Sequence, residues 1–165
     1  MTTPILAGMR ATADRMNDAF TRTIAYAAIT SNSSTTTTTE AVAITTPSFT
    51  MRNGRAFIVK AKCLYTSSVA GDHATIRVRR TNTSGSTILD SQRLVVPSSG
   101  NSLFYAENVF TNTTGSDLTS VMVLNYVRAN GSGNVSVPAS SAQVAFLMIQ
   151  DIGLATDYTS ATSIT

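Results

Sequence analysis

A chain of 165 residues with a formal charge of +3 and 42% apolar residues is long enough for one domain with a sizeable core, and too apolar for its charge to be disordered. Its basic residues are spread thinly from Arg10 to Arg128, with no Trp and 7% aromatics. That excludes the dense basic stripe of a nucleic-acid binder, and no nucleic-acid partner is expected.

Only 13% of residues are charged, against about 25% in average soluble proteins. Thr and Ser together exceed a quarter of the chain. β-Branched Thr suits a pleated, half-exposed surface, so this balance predicts many strands and polar turns. The single Cys63 rules out an internal disulfide framework, and its place in an apolar alternation marks a small buried hydrophobe. No run approaches the roughly 18 to 20 apolar residues of a membrane-spanning helix, so no membrane is expected. The opening "MTTPILAGMRATADRM" lacks a charged stretch followed by an apolar one, so no signal peptide is expected either.

In chain order, residues 1–23 are expected to form an arm. "ATADRMNDAFTR" predicts a short helix, with Thr12 as N-cap, Asp14 in the first turn, and Met16 and Phe20 one turn apart on one face. So short a helix needs a surface to dock on. Residues 24–153 change to a period of two and are expected to form the body. "ITSNSSTTTTTEAVAITTP" joins no two segments that could each fold. It predicts a polar loop running into an edge strand over residues 36–46, with Val42 and Ile44 facing the core.

"RAFIVKAKCLY" sets Phe57, Val59, Ala61, Cys63 and Tyr65 against Ile58, Lys60, Lys62 and Leu64. "HATIRVRRT" sets Ala74, Ile76 and Val78 against Thr75, Arg77 and Arg79. Further strands follow in "TILDSQRLVV", "LFYAENVF", "LTSVMVLNYVRA", "VSV" and "AQVAFLMIQDI", with turn signals about every ten residues. The rhythm predicts an all-β fold, an antiparallel β-sandwich of jelly-roll type with about eight strands. Residues 154–165 read as a polar C-terminal tail.

Two strands are apolar on both faces, "SVMVLNYV" and "VAFLMI". A strand buried on both sides needs a second cover, either the N-terminal arm of the same chain or a neighbouring copy. The second is favoured, so a homo-oligomer is expected, with a trimer favoured. Met16, Phe20, Val121, Val123, Ala145, Leu147 and Ile149 are the candidate subunit interface. Pairing the strand through Cys63 with the strand through Ile76 as a hairpin would set Lys62 opposite Arg77 and Lys60 opposite Arg79. Four like charges facing one another are destabilising without an anion. Either the long side chains splay apart as a solvated cationic face, or they meet a partner's anion; on the second reading Lys60, Lys62, Arg77 and Arg79 are the candidate docking face.

Catalytic chemistry has little to work with. His73 is the one histidine, its nine carboxylates are scattered, and no phosphate-cradling or calcium-loop motif occurs. No catalytic residue, metal or cofactor is expected, and no enzymatic activity. The five Asn-x-Ser/Thr sequons, at Asn32, Asn82, Asn112, Asn130 and Asn134, carry no weight without a secretory signal.

"PILAGMRATADRMNDAF" resembles a Gly-x-x-x-Thr-Ala-x-x-Leu-Asn motif of tailed-bacteriophage virion proteins, with Met16 at the Leu position. "GRAFIVKAKCLY", "GDHATIRVRRTNTSGS" and "LNYVRANGSGNVSV" resemble small structural proteins of actinobacteriophages. The matching features are Gly54, Arg55 and Phe57 at a strand start, an Arg-rich second strand, and Arg128 before a turn with Gly131 and Gly133. The resemblance implies a non-enzymatic, multimeric part of the virion, assembled in the host bacterial cytoplasm. Its partners would be further copies of itself and the major capsid protein. A compact single domain favours a capsid decoration (cement) protein. The alternative is a minor tail or fibre protein contacting the host, with Tyr65, Tyr105, Tyr126 and Tyr158 as candidate carbohydrate-binding aromatics.

Overall fold

The computed structural model describes residues 20–91, 94–97 and 100–164. The expected helix through Met16 lies outside the described residues. In chain order the strands are β1 (Arg22–Ile29), β2 (Ala41–Thr45), β3 (Phe49–Met51), β4 (Arg55–Ser67), β5 (His73–Arg80), β6 (Thr87–Asp90) and β7 (Leu94–Val95). They continue with β8 (Ser102–Asn112), β9 (Leu118–Ser120), β10 (Met122–Asn130), β11 (Val135–Ser136), β12 (Ala145–Leu154) and β13 (Thr162–Ser163). A single 3-10 turn, Ala155–Asp157, is the helical element among the described residues.

The larger sheet has the order β1-β12-β4-β8-β13, with β11 also against β4. The smaller has β2-β10-β5-β6, with β7 beside β5, and β3 and β9 form a separate ribbon. Strands β1, β4, β8 and β12 of one sheet thus interleave along the chain with β2, β5, β6 and β10 of the other. That alternation is the order of an eight-stranded jelly roll.

Period-two alternation places the core. On β4, Phe57, Val59, Ala61, Cys63 and Tyr65 are buried, while Ile58, Lys60, Lys62 and Leu64 lie half-buried on the outer face. Ala74, Ile76 and Val78 of β5 and Met122, Leu124 and Tyr126 of β10 meet them from the other sheet. Each fully buried large apolar side chain contributes about 1.5–3 kcal/mol. Phe57 stacks on its neighbour Phe110 of β8 with ring centroids 5.7 Å apart. Burial pushes the Cys63 thiol up to about 12, so it is an inert part of this core. The Tyr126 hydroxyl donates to the Ser34 carbonyl at 2.6 Å, which ties the loop before β2 to the core.

Several expectations change on meeting the fold. β4 and β5 do not pair as a hairpin: β4 lies between β12 and β8, and β5 between β10 and β6. The turn at residues 68–72 carries the chain from one sheet to the other. Val42 is 42% exposed. Between Leu124↔Ile44 and Asn125↔Val42 the register slips by one residue, and that bulge turns Val42 to the outer face opposite the buried Asn125. The threonine run is tied to the body rather than extended as strand. Thr36 exchanges two backbone hydrogen bonds with Val135, and the Arg128 amide donates to the Thr37 carbonyl. At the other end the expected tail returns to the body. β13 runs parallel to β8, and Ile164 is buried in the core.

Candidate interaction surfaces

The outer face of the larger sheet is built by four strands in register. Along β4 and β8 its rows are Leu64↔Leu103, Lys62↔Tyr105, Lys60↔Glu107 and Ile58↔Val109. β12 adds Phe146 beside Lys62 and Met148 beside Lys60, and β1 adds Tyr26 beside Met148. Tyr26 stacks on Phe146 with centroids 6.1 Å apart. Leu103 is 59% exposed, Tyr105 53% and Tyr26 51%. A solvated antiparallel face is ordinarily polar; this one is largely apolar with a short ionic row across it. The Tyr105 hydroxyl donates to Glu107 at 3.1 Å, and that bond raises the phenol above its ordinary value. Neither Lys60 nor Lys62 makes a hydrogen bond or an ion pair among the described residues.

The four-cation docking face is not formed. Lys60 and Lys62 project from the outer face of the larger sheet, Arg77 and Arg79 from that of the smaller. The two arginines already have anions. Arg77 Nε lies 3.0 Å from Asp90 Oδ2, and Arg79 Nε lies 3.1 Å from Glu40 Oε1. Arg77 Nη1 also lies 3.7 Å from Glu40 Oε2, closing a chain of alternating charge. Arg79 Nη1 donates further to the Gly85 carbonyl and the Thr87 hydroxyl.

The candidate subunit interface is corrected as well. Ala145, Leu147 and Ile149 point into the core and are fully buried within the chain; the outer phase of β12 begins with Phe146 and Met148 and continues through Gln150, Ile152 and Leu154. Val123 is on an outer face but is 3% exposed, flanked by Thr45 and Arg79. Val121 is half-buried, and Phe20 is exposed at 65% just ahead of β1. Met16 lies outside the described residues.

The motif residues turn out to be scaffold. Arg55, at the start of β4, is buried with Asp151 of β12. Its Nη2 lies 2.7 Å from Asp151 Oδ1, and its Nε donates to both carboxylate oxygens at 3.1 Å. Asp72, in the turn before β5, is 3% exposed and gathers the loop after β10. Its carboxylate accepts from the Ser67 hydroxyl at 2.7 Å and from the backbone amides of Ser132 at 3.0 Å and Gly133 at 2.8 Å. Arg128 closes that loop by donating to the Gly133 carbonyl.

The Ser67 hydrogen bond, helped by the two amides and the Arg128 charge, outweighs burial and holds the Asp72 carboxyl below its ordinary 3.8. A depressed carboxyl contributes stability above its unfolded value and loses it as pH falls through the folded one. Asp72→Asn is expected to lower the melting temperature at pH 7 by several degrees. It should also remove part of the acid-induced loss that wild type shows from about pH 4 downwards. Thermal melts of both proteins from pH 7 to pH 2 check this.

Among the described residues no three His, Cys, Asp or Glu side chains form a metal-binding group, and no helix is long and apolar enough to cross a membrane. His73 opens β5 half-buried, with Nδ1 buried and without a partner. Of the four tyrosines considered for carbohydrate, Tyr65 and Tyr126 are core residues. Tyr158 lines an open groove of about 520 Å³ with Ile58, Glu107, Asn108 and Asp157, next to the exposed Tyr105.

No protein family and no curated protein matches this sequence. Solved structures do match. A chain of infectious bursal disease virus, Gx strain, superposes with a TM-score of 0.51 at 12% identity, over 81% of this chain and 32% of that one. A chain of the T=1 particles derived from the same virus gives 0.49 at 12%, over 90% and 40%. The enzymatically active domain of bacteriophage CBA120 tailspike protein 4 gives 0.30 at 13%, over 78% and 19%. This chain spans about a third of the length of the first of these. At such identities likeness is a matter of fold, and the second and third scores are too low to argue from. What the first supports is that this all-β sandwich has the fold of part of a chain from a virus particle.

Proposed function

We propose that this protein is a non-enzymatic structural component of a virus particle, of the tailed-phage kind its sequence resembles, serving as capsid decoration. The observation that carries the reading is the exposed apolar outer face of the larger sheet, on a jelly roll shared with a virus-particle chain. An apolar face of that extent marks an association surface. The protein assembles with further copies of itself, a trimer being the favoured ring, and docks on the major capsid protein in the virion.

The test is quantitative mass spectrometry of purified virions. A copy number comparable with that of the major capsid protein is expected. Absence from the particle would overturn the reading. A second reading, a minor tail or fibre protein contacting host glycans, is favoured by the groove at Tyr158 and Glu107. It predicts a copy number far below the capsid protein's, in multiples of three or six.

A further inference from the structure

We infer that the outer face of the larger sheet is a two-fold contact between copies of this chain, with its axis along the strands between β4 and β8. The inference deepens the self-associating part of the proposed function and rests on it.

The argument comes from the register. A two-fold axis lying in the contact plane, midway between β4 and β8, lays β4 of one copy over β8 of the other. It leaves every row at its own height along the strands. Each cross-strand row is therefore placed on itself with its members exchanged. Leu64 meets Leu103 of the other copy, and Ile58 meets Val109. Lys62 meets the ring of Tyr105, a cation over a π face. Lys60 meets Glu107.

All four rows are complementary under this one operation, as an isologous contact requires. The ionic contacts also supply the anion that Lys60 lacks within its own chain, since no carboxylate lies at salt-bridge distance from it among the described residues. By symmetry each ionic contact occurs twice. Under this operation β4 and β8 overlie one another along all four rows, two strands about 4.8 Å apart and four rows about 6.8 Å apart, roughly 10 by 25 Å. That is well below the about 800 Å² a side of a standard interface, so the contact is a weak, concentration-dependent one. A two-fold contact yields dimers, or joins two rings of three into a hexamer.

The experiment is sedimentation equilibrium of the purified full chain across a concentration series, with charge reversals. Wild type is expected to form species with even numbers of chains. Lys60→Glu and Glu107→Lys should each weaken association by about tenfold or more, since each sets two like-charge pairs face to face. The combined Lys60→Glu/Glu107→Lys variant should restore association to within about threefold of wild type. Melting temperatures of the same variants separate the contact from stability alone, because Lys60 and Glu107 are also neighbours within one chain. Leu103→Asp, at an exposed position the fold tolerates, should weaken association in the same direction.

A wild-type chain that stays monomeric would overturn the inference, and would leave the copy-number reading to stand or fall separately. So would single reversals that associate like wild type, or a double variant that recovers its melting temperature but not its association. Odd-numbered rings insensitive to all these changes would overturn it too.

Discussion

Asp151→Ala should lower stability by about 3–5 kcal/mol, because it leaves the Arg55 guanidinium buried without its carboxylate. For a chain of this size that is a fall in melting temperature of roughly 10 °C or more. Deleting one partner costs far more than deleting both, since the penalty is a buried guanidinium that has lost its carboxylate. Arg55→Met combined with Asp151→Leu should therefore recover at least half of the loss. Urea unfolding of the single and double variants checks both statements. A single variant within about 1 kcal/mol of wild type would mean that water reaches the pair.

The second large effect lies at the other end of β4. Gly131 has φ +109, and a Cβ there would overlap the Asp72 carboxylate. Gly131→Ala adds a backbone penalty of about 1–3 kcal/mol to an overpacking penalty of similar size. The expected total is about 3 kcal/mol, with loss of the Asp72 hydrogen bonds to Ser132 and Gly133. Gly115 is the control: its φ is +91, and a Cβ there would meet no neighbour. Gly115→Ala should cost only the backbone part. Equal losses at the two positions, measured by denaturant unfolding, would remove Asp72 from the account.

These two clusters also show what can be seen along the chain. The alternation in "RAFIVKAKCLY" identified the inward residues of β4, because one phase carries both lysines and the other does not. The partner of β4 was not visible. Five residues of turn between two strands look alike whether the strands pair or cross between sheets, and here they cross. In "VAFLMI" both phases are apolar, so period two separates the faces without saying which is inside. Polarity further along misleads there, because Asp151 shares the phase of Ala145, Leu147 and Ile149 and is itself buried. At Val42 a one-residue bulge reversed the phase, and a bulge leaves no mark in "EAVAIT". Two of the candidate docking cations, Arg77 and Arg79, failed for a related reason: their anions, Asp90 on β6 and Glu40 just ahead of β2, come from other parts of the chain. The glycines and arginines of the resembling motifs were easy to pick out. Their role as turn and ion-pair scaffold appears only when Asp72 and Asp151 are seen beside them.

β1 pairs with β12, so that Ala25 lies opposite Ile149 and the first strand of the body is held by the last long one. A ribosome adds about 5–20 residues per second, so β1 waits unpaired for many seconds until β12 has emerged. Non-local pairing of this kind also folds slowly, in about milliseconds to seconds. The β4–β8 half of the outer face can pair once residue 112 has emerged, whereas the β1–β12 half, with Tyr26, Phe146 and Met148, is added only after synthesis has passed residue 150. The architecture thus acts as a timer on the edge of that face, which a nascent chain gains in two stages several seconds apart.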